Sequence, residues 1–308
     1  MAMKRLLYEI NHATRYEYHG SVSLAHHLVH LSPRPTPRQL CLSQTLAIDP
    51  VPGTLTTRAD YFGNAASLFT IAAAHKHLEV VFRSRVAVAP AFVPESSESP
   101  PWESVRGLCR GDRSGFSLEA MEFVHDSPRV GIDAAYASYA APSFAPGRPV
   151  MDAVMDLARR IHADFAFDPK ATSVSTTVEE FFQARRGVCQ DFAHLQIACL
   201  RSLGLPARYV SGYLETDPPP GQTKLVGSDA SHAWVAFFCP GVGWIDVDPT
   251  NNCLPSLRHI TVAWGRDYGD VSPLRGVLLG SGKHVLAVSV DVNALGPFDE
   301  GETEQTPS

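Results

Sequence analysis

The chain has 308 residues, of which 44% are hydrophobic and 19% are charged, and these fractions are typical of an ordinary globular protein. Its 32 acidic and 26 basic side chains give a formal net charge of -6, the wrong sign for attraction to nucleic acid phosphates or anionic lipid. The length corresponds to about two domains at roughly 150 residues each. We therefore expect a soluble protein with no nucleic acid and no membrane as partner.

The start of the chain and its cysteines bear on the compartment. The N-terminal segment turns polar at Asn11 before an apolar signal region is complete, and nowhere do about 18 apolar residues run together. No two cysteines stand in a C-x-x-C pair, which argues against a zinc ribbon or a disulfide scaffold. The sequence thus predicts a cytoplasmic protein without metal or cofactor. The six cysteines are Cys41, Cys109, Cys189, Cys199, Cys239 and Cys253.

The first part of the chain has the pattern of strands. Residues 8–18 and 78–89 alternate or run β-branched and aromatic between turn residues, which is typical of an antiparallel sheet. Residues 94–101 are rich in Pro, Ser and Glu, and a second breaker-rich stretch spans 141–149. We predict an N-terminal β domain over 1–95 and a connecting segment over 96–148.

The second part has helices followed by strands. The apolar positions between Val150 and Ile161 recur at a helical period, and another helix is predicted from Cys189 to the stop at Gly204. Strands are predicted at 207–214, 232–238, 244–248 and 284–292. We predict an α+β catalytic core over 149–296 that includes the C-terminal strands, with helices packed on an antiparallel sheet. Residues 297–308 are expected to be a disordered tail.

Cys189 is the cysteine whose position in the sequence favours a nucleophilic role. Gly187 interrupts the preceding segment, and Cys189 opens a helix, so its thiol faces the positive end of the helix dipole, which favours the nucleophilic thiolate. The other five cysteines are expected to be structural and buried.

His232 and Asp248 are the candidate base and orienting acid. They lie on two strands joined by Cys-Pro-Gly-Val-Gly, a hairpin turn by composition. If Val242 lies opposite Phe238, then His232 lies opposite Asp248, close enough for a carboxylate to hold the imidazole. A two-residue slip would place Asp246 there instead, and periodicity alone does not choose between the two aspartates. Pro249 favours Asp248, because proline ends a central strand.

These segments resemble a known family. The runs RRGVCQDFAHLQIACLRSLGLPARYVSGYL and SHAWVAFFCPGVGWIDVDPTNN closely resemble the bacterial transglutaminase-like superfamily, papain-like cysteine enzymes with a Cys, His, Asp triad. HATRYEYHGSV, HLSPRPTPRQ and DYFGN resemble the β domain that precedes this core in one bacterial branch, and GRDYGDVSPLRG resembles its later segment. The resemblance implies a papain-like core and assigns the nucleophile to Cys189, the base to His232 and the acid to Asp248.

The expected function is that of a thiol enzyme. The resemblance and the triad predict attack on a peptide or isopeptide bond through a thioester, with hydrolysis favoured over transfer to an amine. A peptide or protein is the expected partner, and the oligomeric state is not predicted. The alternative is a catalytically silent binding or scaffold protein that retains the fold.

Three other polar residues lie near Cys189 in the sequence. His194 is rotated about 140° from Cys189 on the helix and is expected to pack or to join a hydrogen-bond network. Asp191 has no role that follows from its position. Gln183 could donate to an oxyanion, but a surface position on a helix is the stronger expectation.

Overall fold

The computed structural model describes residues 5–111, 115–217, 229–280 and 283–298. It contains a large antiparallel sheet at the N-terminal end and an α+β core, so the predicted fold class is confirmed. No helix among these residues is both long and apolar enough to cross a bilayer. Seven strands form the large sheet: β1 Arg5–Val29, β2 Gln39–Asp49, β3 Thr54–Ala59, β4 Ala65–Ile71, β5 His75–Val88, β12 Leu274–Gly280 and β13 His284–Phe298.

β1 organises the large sheet. Its side chains alternate between buried and more exposed positions, with Tyr8, Ile10 and His12 buried, because successive side chains of a strand point to opposite faces. Its first part pairs with β5 and β13, and its last part pairs with β4 and β12. The C-terminal strands, which the sequence analysis placed with the catalytic core, therefore belong to the N-terminal sheet. Strand periodicity identifies a strand but not its partner.

The described residues between β5 and β12 include seven α-helices. The predicted helix that follows Pro149 is α4, and its apolar stripe from Val150 to Ile161 is buried. The 96–148 connection contains three of the helices, and its side chains Trp102, Tyr136 and Phe144 join the main hydrophobic core. The helices are α1 Trp102–Gly111, α2 Gly115–Met121, α3 Ala134–Ala140, α4 Val150–Asp164, α5 Val178–Ala184, α6 Cys189–Ser202 and α7 Tyr268–Val271.

α6 is the central helix of the core. Every residue from Gln190 to Arg201 is buried, so the helix is enclosed on all sides. Gln196, the polar residue in its predicted apolar pattern, donates from Nε2 to the carbonyl oxygen of Val154 at 3.3 Å. The helix ends before Gly204, whose φ of +80° suits glycine. Such enclosure gives the residue at the start of α6 a fixed position.

A four-stranded antiparallel sheet packs against α6 in the order β10, β9, β8, β11. One face contributes Tyr209, Val235 and Phe237 to the same core as Phe192 of α6. A two-stranded parallel pair, β6 and β7, lies just before α6. The strands are β6 Ala166–Phe167, β7 Arg186–Gly187, β8 Ala207–Leu214, β9 Ala230–Cys239, β10 Gly243–Val247 and β11 His259–Gly265.

The β9–β10 hairpin has a different register from the predicted one. Gly243 pairs with Cys239 and Trp244 pairs with Phe238, so the prediction that Val242 lies opposite Phe238 is wrong. The cause is the turn, in which the Val242 N–H donates to the Cys239 carbonyl at 3.1 Å and Gly243 has a φ of +101°. The turn needs a residue with a positive φ at its end, and glycine adopts that conformation more readily than any residue with a side chain. The turn therefore ends at Gly243, and pairing with β9 begins there.

The predicted tail over 297–308 falls largely outside the described residues. Pro297 and Phe298 are the last residues of β13, where they pair with Leu6 and Arg5 of β1. Residues 299–308 lie outside the part of the chain that the structure describes.

Candidate active site

Cys189 is held at the start of α6 by a tight local arrangement. The Asp191 carboxylate accepts hydrogen bonds from the Val188 N–H at 2.8 Å and from the Thr172 hydroxyl at 2.7 Å, which ties the entering chain to the first helical turn. A Cβ on Gly187 would lie 2.4 Å from Asp191 Oδ2 and 2.8 Å from Phe181 Cδ2. Only glycine at position 187 therefore lets the backbone pass this close to the side chains of Asp191 and Phe181. Cys189 itself is partly exposed.

His232 on β9 lies between Cys189 and Asp248. Its Nε2 is 2.7 Å from Asp248 Oδ2, and the Cys189 thiol lies beside its ring. Burial opposes the imidazolium, but the interactions with Asp248 and Cys189 outweigh it and raise the pKa of His232 to about 10. The three residues predicted from the sequence are therefore brought together in one row, with His232 in the middle.

Asp248 is fully buried and is held at both carboxylate oxygens. Oδ1 accepts from the backbone N–H groups of Thr250 at 2.9 Å and Asn251 at 3.2 Å. Oδ2 lies 2.7 Å from Asn251 Nδ2, in addition to its contact with His232. Burial opposes the charge, but the hydrogen bonds with His232, with His259 and with the Asn251 side chain hold the pKa of Asp248 well below its usual range. The carboxylate is thus ionised and fixed in position.

His259 is a residue of this site that the sequence reasoning missed. Its Nε2 lies 3.1 Å from Asp248 Oδ2, and its Nδ1 accepts the Ser256 N–H at 3.3 Å. Because Nδ1 is an acceptor, the ring proton of neutral His259 is on Nε2, which donates to Asp248. No local spacing identifies His259, which begins β11, far along the chain from His232.

The cluster of His232, Asp248 and His259 also has ligand types that suit a metal ion. The tautomer of His259 argues against that use. Metal ligation through Nε2 would move its proton to Nδ1, where it would face the Ser256 N–H. The two imidazoles instead meet a single carboxylate oxygen at hydrogen-bond distances. We interpret the cluster as a hydrogen-bond network.

The remaining candidates lie apart from this row. Asp246 pairs with Ala236, and burial raises its pKa while Arg208 and Arg38 oppose that rise. Gln183 is exposed and donates to Glu179 Oε1 at 3.2 Å. His194 accepts the Tyr268 N–H at 3.1 Å, and burial lowers its pKa to about 3. Asp248 rather than Asp246 is the aspartate that contacts His232.

Comparison with known proteins identifies the chain. Residues 8–87 match the bacterial transglutaminase-like N-terminal region, and residues 137–249 match the transglutaminase-like superfamily. An uncharacterized protein of Mycobacterium tuberculosis is 43% identical over 295 residues, which cover 92% of this chain and 92% of that protein. The chain belongs to the transglutaminase-like superfamily. The family resemblance stated from the sequence is confirmed.

Two further proteins are similar to this chain, one over a part of it and one over most of its fold. A protein-glutamine gamma-glutamyltransferase of Pseudomonas aeruginosa is 37% identical over 102 residues, which cover 32% of this chain and 15% of that enzyme. A crystal structure entitled "Putative Cysteine Protease" from Cytophaga hutchinsonii superposes with a TM-score of 0.76 at 20% identity, covering 94% of this chain and 91% of that chain. At this identity the structural match establishes a shared fold.

Proposed function

We propose that the protein is a cysteine enzyme that cleaves amide bonds of peptides or proteins through Cys189, His232 and Asp248. The observation that carries the proposal is the position of His232, whose ring contacts both the thiol and a buried carboxylate. A nucleophile, a base and a group that orients the base are the components that thiol catalysis requires.

The proposed reaction starts with transfer of the Cys189 proton to His232. The thiolate then attacks the amide carbon, and the C–N bond of the tetrahedral intermediate breaks as His232 returns the proton to the leaving amine. The Cys189 N–H lies in the first turn of α6, where N–H groups lack an acceptor within the helix, and we propose it as one donor to the oxyanion. Asp248 orients His232 and stabilises its charged form.

The resulting thioester is resolved by a second acceptor. We propose water, which adds to the thioester carbon while His232 takes its proton, and the carboxylic acid and the Cys189 thiol are released. An amine would follow the same route and form a new amide. Hydrolysis and acyl transfer thus share Cys189 and His232 and differ only in the acceptor.

The test uses a library of peptides and of isopeptides between glutamine or glutamate side chains and lysine. Purified protein is incubated with the library in the presence and absence of a primary amine, and products are read by mass spectrometry. We expect carboxylic acid products whether or not the amine is present. Products that carry the added amine would assign the reaction to acyl transfer. The Cys189→Ala variant is the matched control and should form neither product. Failure of an acyl-type thiol probe to modify Cys189 would contradict the proposal and favour the silent scaffold.

We also propose a cytoplasmic location. All six cysteines are free, as expected of thiols in a reducing compartment. Fractionation of cells that express the tagged full chain tests this, and recovery of the protein outside the cytoplasmic fraction would contradict it.

A further inference from the structure

Arg208 is a buried cation on the face of the core sheet that lies away from α6. Its side chain is 5% exposed. The guanidinium carbon lies 3.8 Å from the ring centroid of Trp264 and 4.3 Å from that of Trp244, so two indoles contact the group. Burial lowers the pKa of Arg208 to about 9, with Asp246 opposing this. The two indoles hold the guanidinium in place through cation–π contacts, while its burial disfavours the charged form.

The guanidinium of Arg208 has no hydrogen-bond partner among the residues that the structure describes. Its Nε is buried without an acceptor. Arg201, which is equally buried, provides the contrast, because its guanidinium donates to several backbone carbonyls, including those of Ala207 and Phe123. Buried charged groups normally have such partners, so Arg208 has unused donors.

These donors border a cavity of about 450 Å³ between the N-terminal domain and the core sheet, which we call the Arg208 cavity. The volume suits a small molecule or a short chain segment. Its walls are mainly apolar, and residues from both sides contribute. The apolar walls include Phe92, Val93, Val210, Trp244, Leu254 and Trp264.

The charges of the Arg208 cavity restrict its occupant. Arg38 also lines it, but the guanidinium of Arg38 donates to the His259 carbonyl at 2.8 Å and is thereby engaged. Arg34 stacks on Trp264 at 3.5 Å and donates to Asn64 Oδ1 at 2.7 Å. Among the described residues that line this cavity, Arg208 is therefore the cation with free donors, while Asp246 in the same wall disfavours a multiply charged anion.

We propose that the Arg208 cavity binds a molecule that carries one carboxylate on an apolar body, with the carboxylate bonded to Arg208. A planar carboxylate matches the fork of a guanidinium, and the apolar body would pack against the aromatic and aliphatic walls. Such a carboxylate belongs either to a free organic acid or to the C-terminal end of a peptide.

The Arg208 cavity is connected to the proposed active site through one loop. Leu254 and Pro255 in its wall directly follow Cys253, whose backbone exchanges hydrogen bonds with Asp248 at 2.8 and 3.2 Å. The loop begins at Asp248, the proposed orienting acid, and ends in the cavity. Binding to Arg208 does not depend on turnover, so it can be measured separately from catalysis.

The experiment measures binding to the full chain carrying Cys189→Ala, by calorimetry and by the fluorescence of the tryptophans. The probes are 4-phenylbutyrate and the peptide N-acetyl-alanyl-alanyl-phenylalanine, each compared with its neutral amide. We expect each acid that binds to do so at least about tenfold more tightly than its amide. The tighter of the two acids identifies the source of the carboxylate. Equal binding of acid and amide, or no binding of either acid at millimolar concentration, would overturn the proposal.

Two variants make the binding test specific. Arg208→Met retains an apolar stem between the indoles and removes the donors, and it should abolish the preference for the acid. Val242→Glu places a negative charge at the rim, where the native side chain is 43% exposed, and it should weaken acid binding without disturbing the core. Val51→Glu, at an 84% exposed position away from the cavity, is the matched control and should bind as the parent does. Unchanged binding in Arg208→Met, with its fold verified by circular dichroism, would refute the assignment.

Discussion

Replacing Asp248 by asparagine tests the proposed active site most directly. The substitution preserves the size of the side chain but exchanges one carboxylate oxygen for an NH₂ group. Oδ2 faces ring nitrogens of His232 and His259 and the amide of Asn251, while Oδ1 faces two backbone N–H groups. Either orientation of the asparagine therefore brings donors against its NH₂. In both orientations His232 loses the countercharge to its imidazolium, and with the NH₂ at the Oδ2 position it also loses its acceptor.

The expected magnitude follows from these contacts. A hydrogen bond to a charged group contributes roughly 1.5 to 3 kcal/mol, which corresponds to about 10- to 100-fold in rate. Favouring the wrong imidazole tautomer adds to this, and loss of an orienting acid can lower turnover by about 10⁴-fold. We expect Asp248→Asn to lower kcat by about 10² to 10⁴. The pH dependence of thiol alkylation should shift as well, because Asp248 contributes to the raised pKa of His232.

The assay is steady-state turnover of the amide substrate found in the library, with the fraction of folded protein measured for each variant. Asp60→Asn is the control, because Asp60 also contacts a histidine and an asparagine, namely His30 at 3.3 Å and Asn64 at 2.8 Å, in the N-terminal domain. Asp60→Asn should leave kcat per folded molecule unchanged. If the two variants had the same kcat, Asp248 would not be the orienting acid.

Further predictions concern the thiol, the approach to it, the second histidine and stability. Iodoacetamide near neutral pH should label Cys189 far faster than Cys253, because burial raises the pKa of Cys253 to about 11, and equal labelling on peptide mapping would contradict the assignment. Gly187→Val should abolish turnover while a folded circular dichroism spectrum persists, because its side chain would displace the first turn of α6, and normal turnover would show that the close approach is dispensable. His259→Phe should lower kcat about tenfold with little change in KM, since one bond to the acid is lost, and an unaltered pH–rate profile together with unaltered kcat would exclude a positioning role. Burial lowers the pKa of His12 to about 4, so between pH 6.5 and 4 this histidine binds a proton in the unfolded chain but not in the folded chain. The free energy of unfolding, measured by urea titration, should therefore fall as the pH falls through this range, and it should fall by less in His12→Gln.

Local patterns in the sequence predicted α4, α6 and several strands but not the three helices of the 96–148 connection, and the family motifs supplied the members of the candidate triad. The apolar stripe of α4 and the strand over 207–214 lie where periodicity predicts them. Register was harder, because the hairpin depends on where Gly243 adopts a positive φ, which composition does not locate. Asp248 nevertheless forms a hydrogen bond with His232. It lies one residue beyond Val247, the last residue of β10 that pairs with β9, and its side chain extends diagonally across the sheet to the His232 ring.

Contacts between distant segments could not be predicted in the same way. His259 joins the acid only because β11 returns beside β8, and Arg208 borders a cavity only because the N-terminal domain covers that face of the sheet. Both follow from tertiary packing, which a period of two residues does not encode. The partner of β13 is a third case, since its alternating pattern fits either sheet.

The sharing of β1 between strands from both ends of the chain has a consequence for biosynthesis and for dissection of the protein. The α+β core is, in topological terms, an insertion between β5 and β12, and β1 leaves the ribosome long before β12 and β13 exist to pair with it. During synthesis one edge of this 25-residue strand stays unpaired until β12 and β13 emerge, which is an aggregation hazard of a kind that chaperones relieve. A fragment that ends after β11 would retain that open edge permanently, so the C-terminal strands should be included whenever the core is expressed.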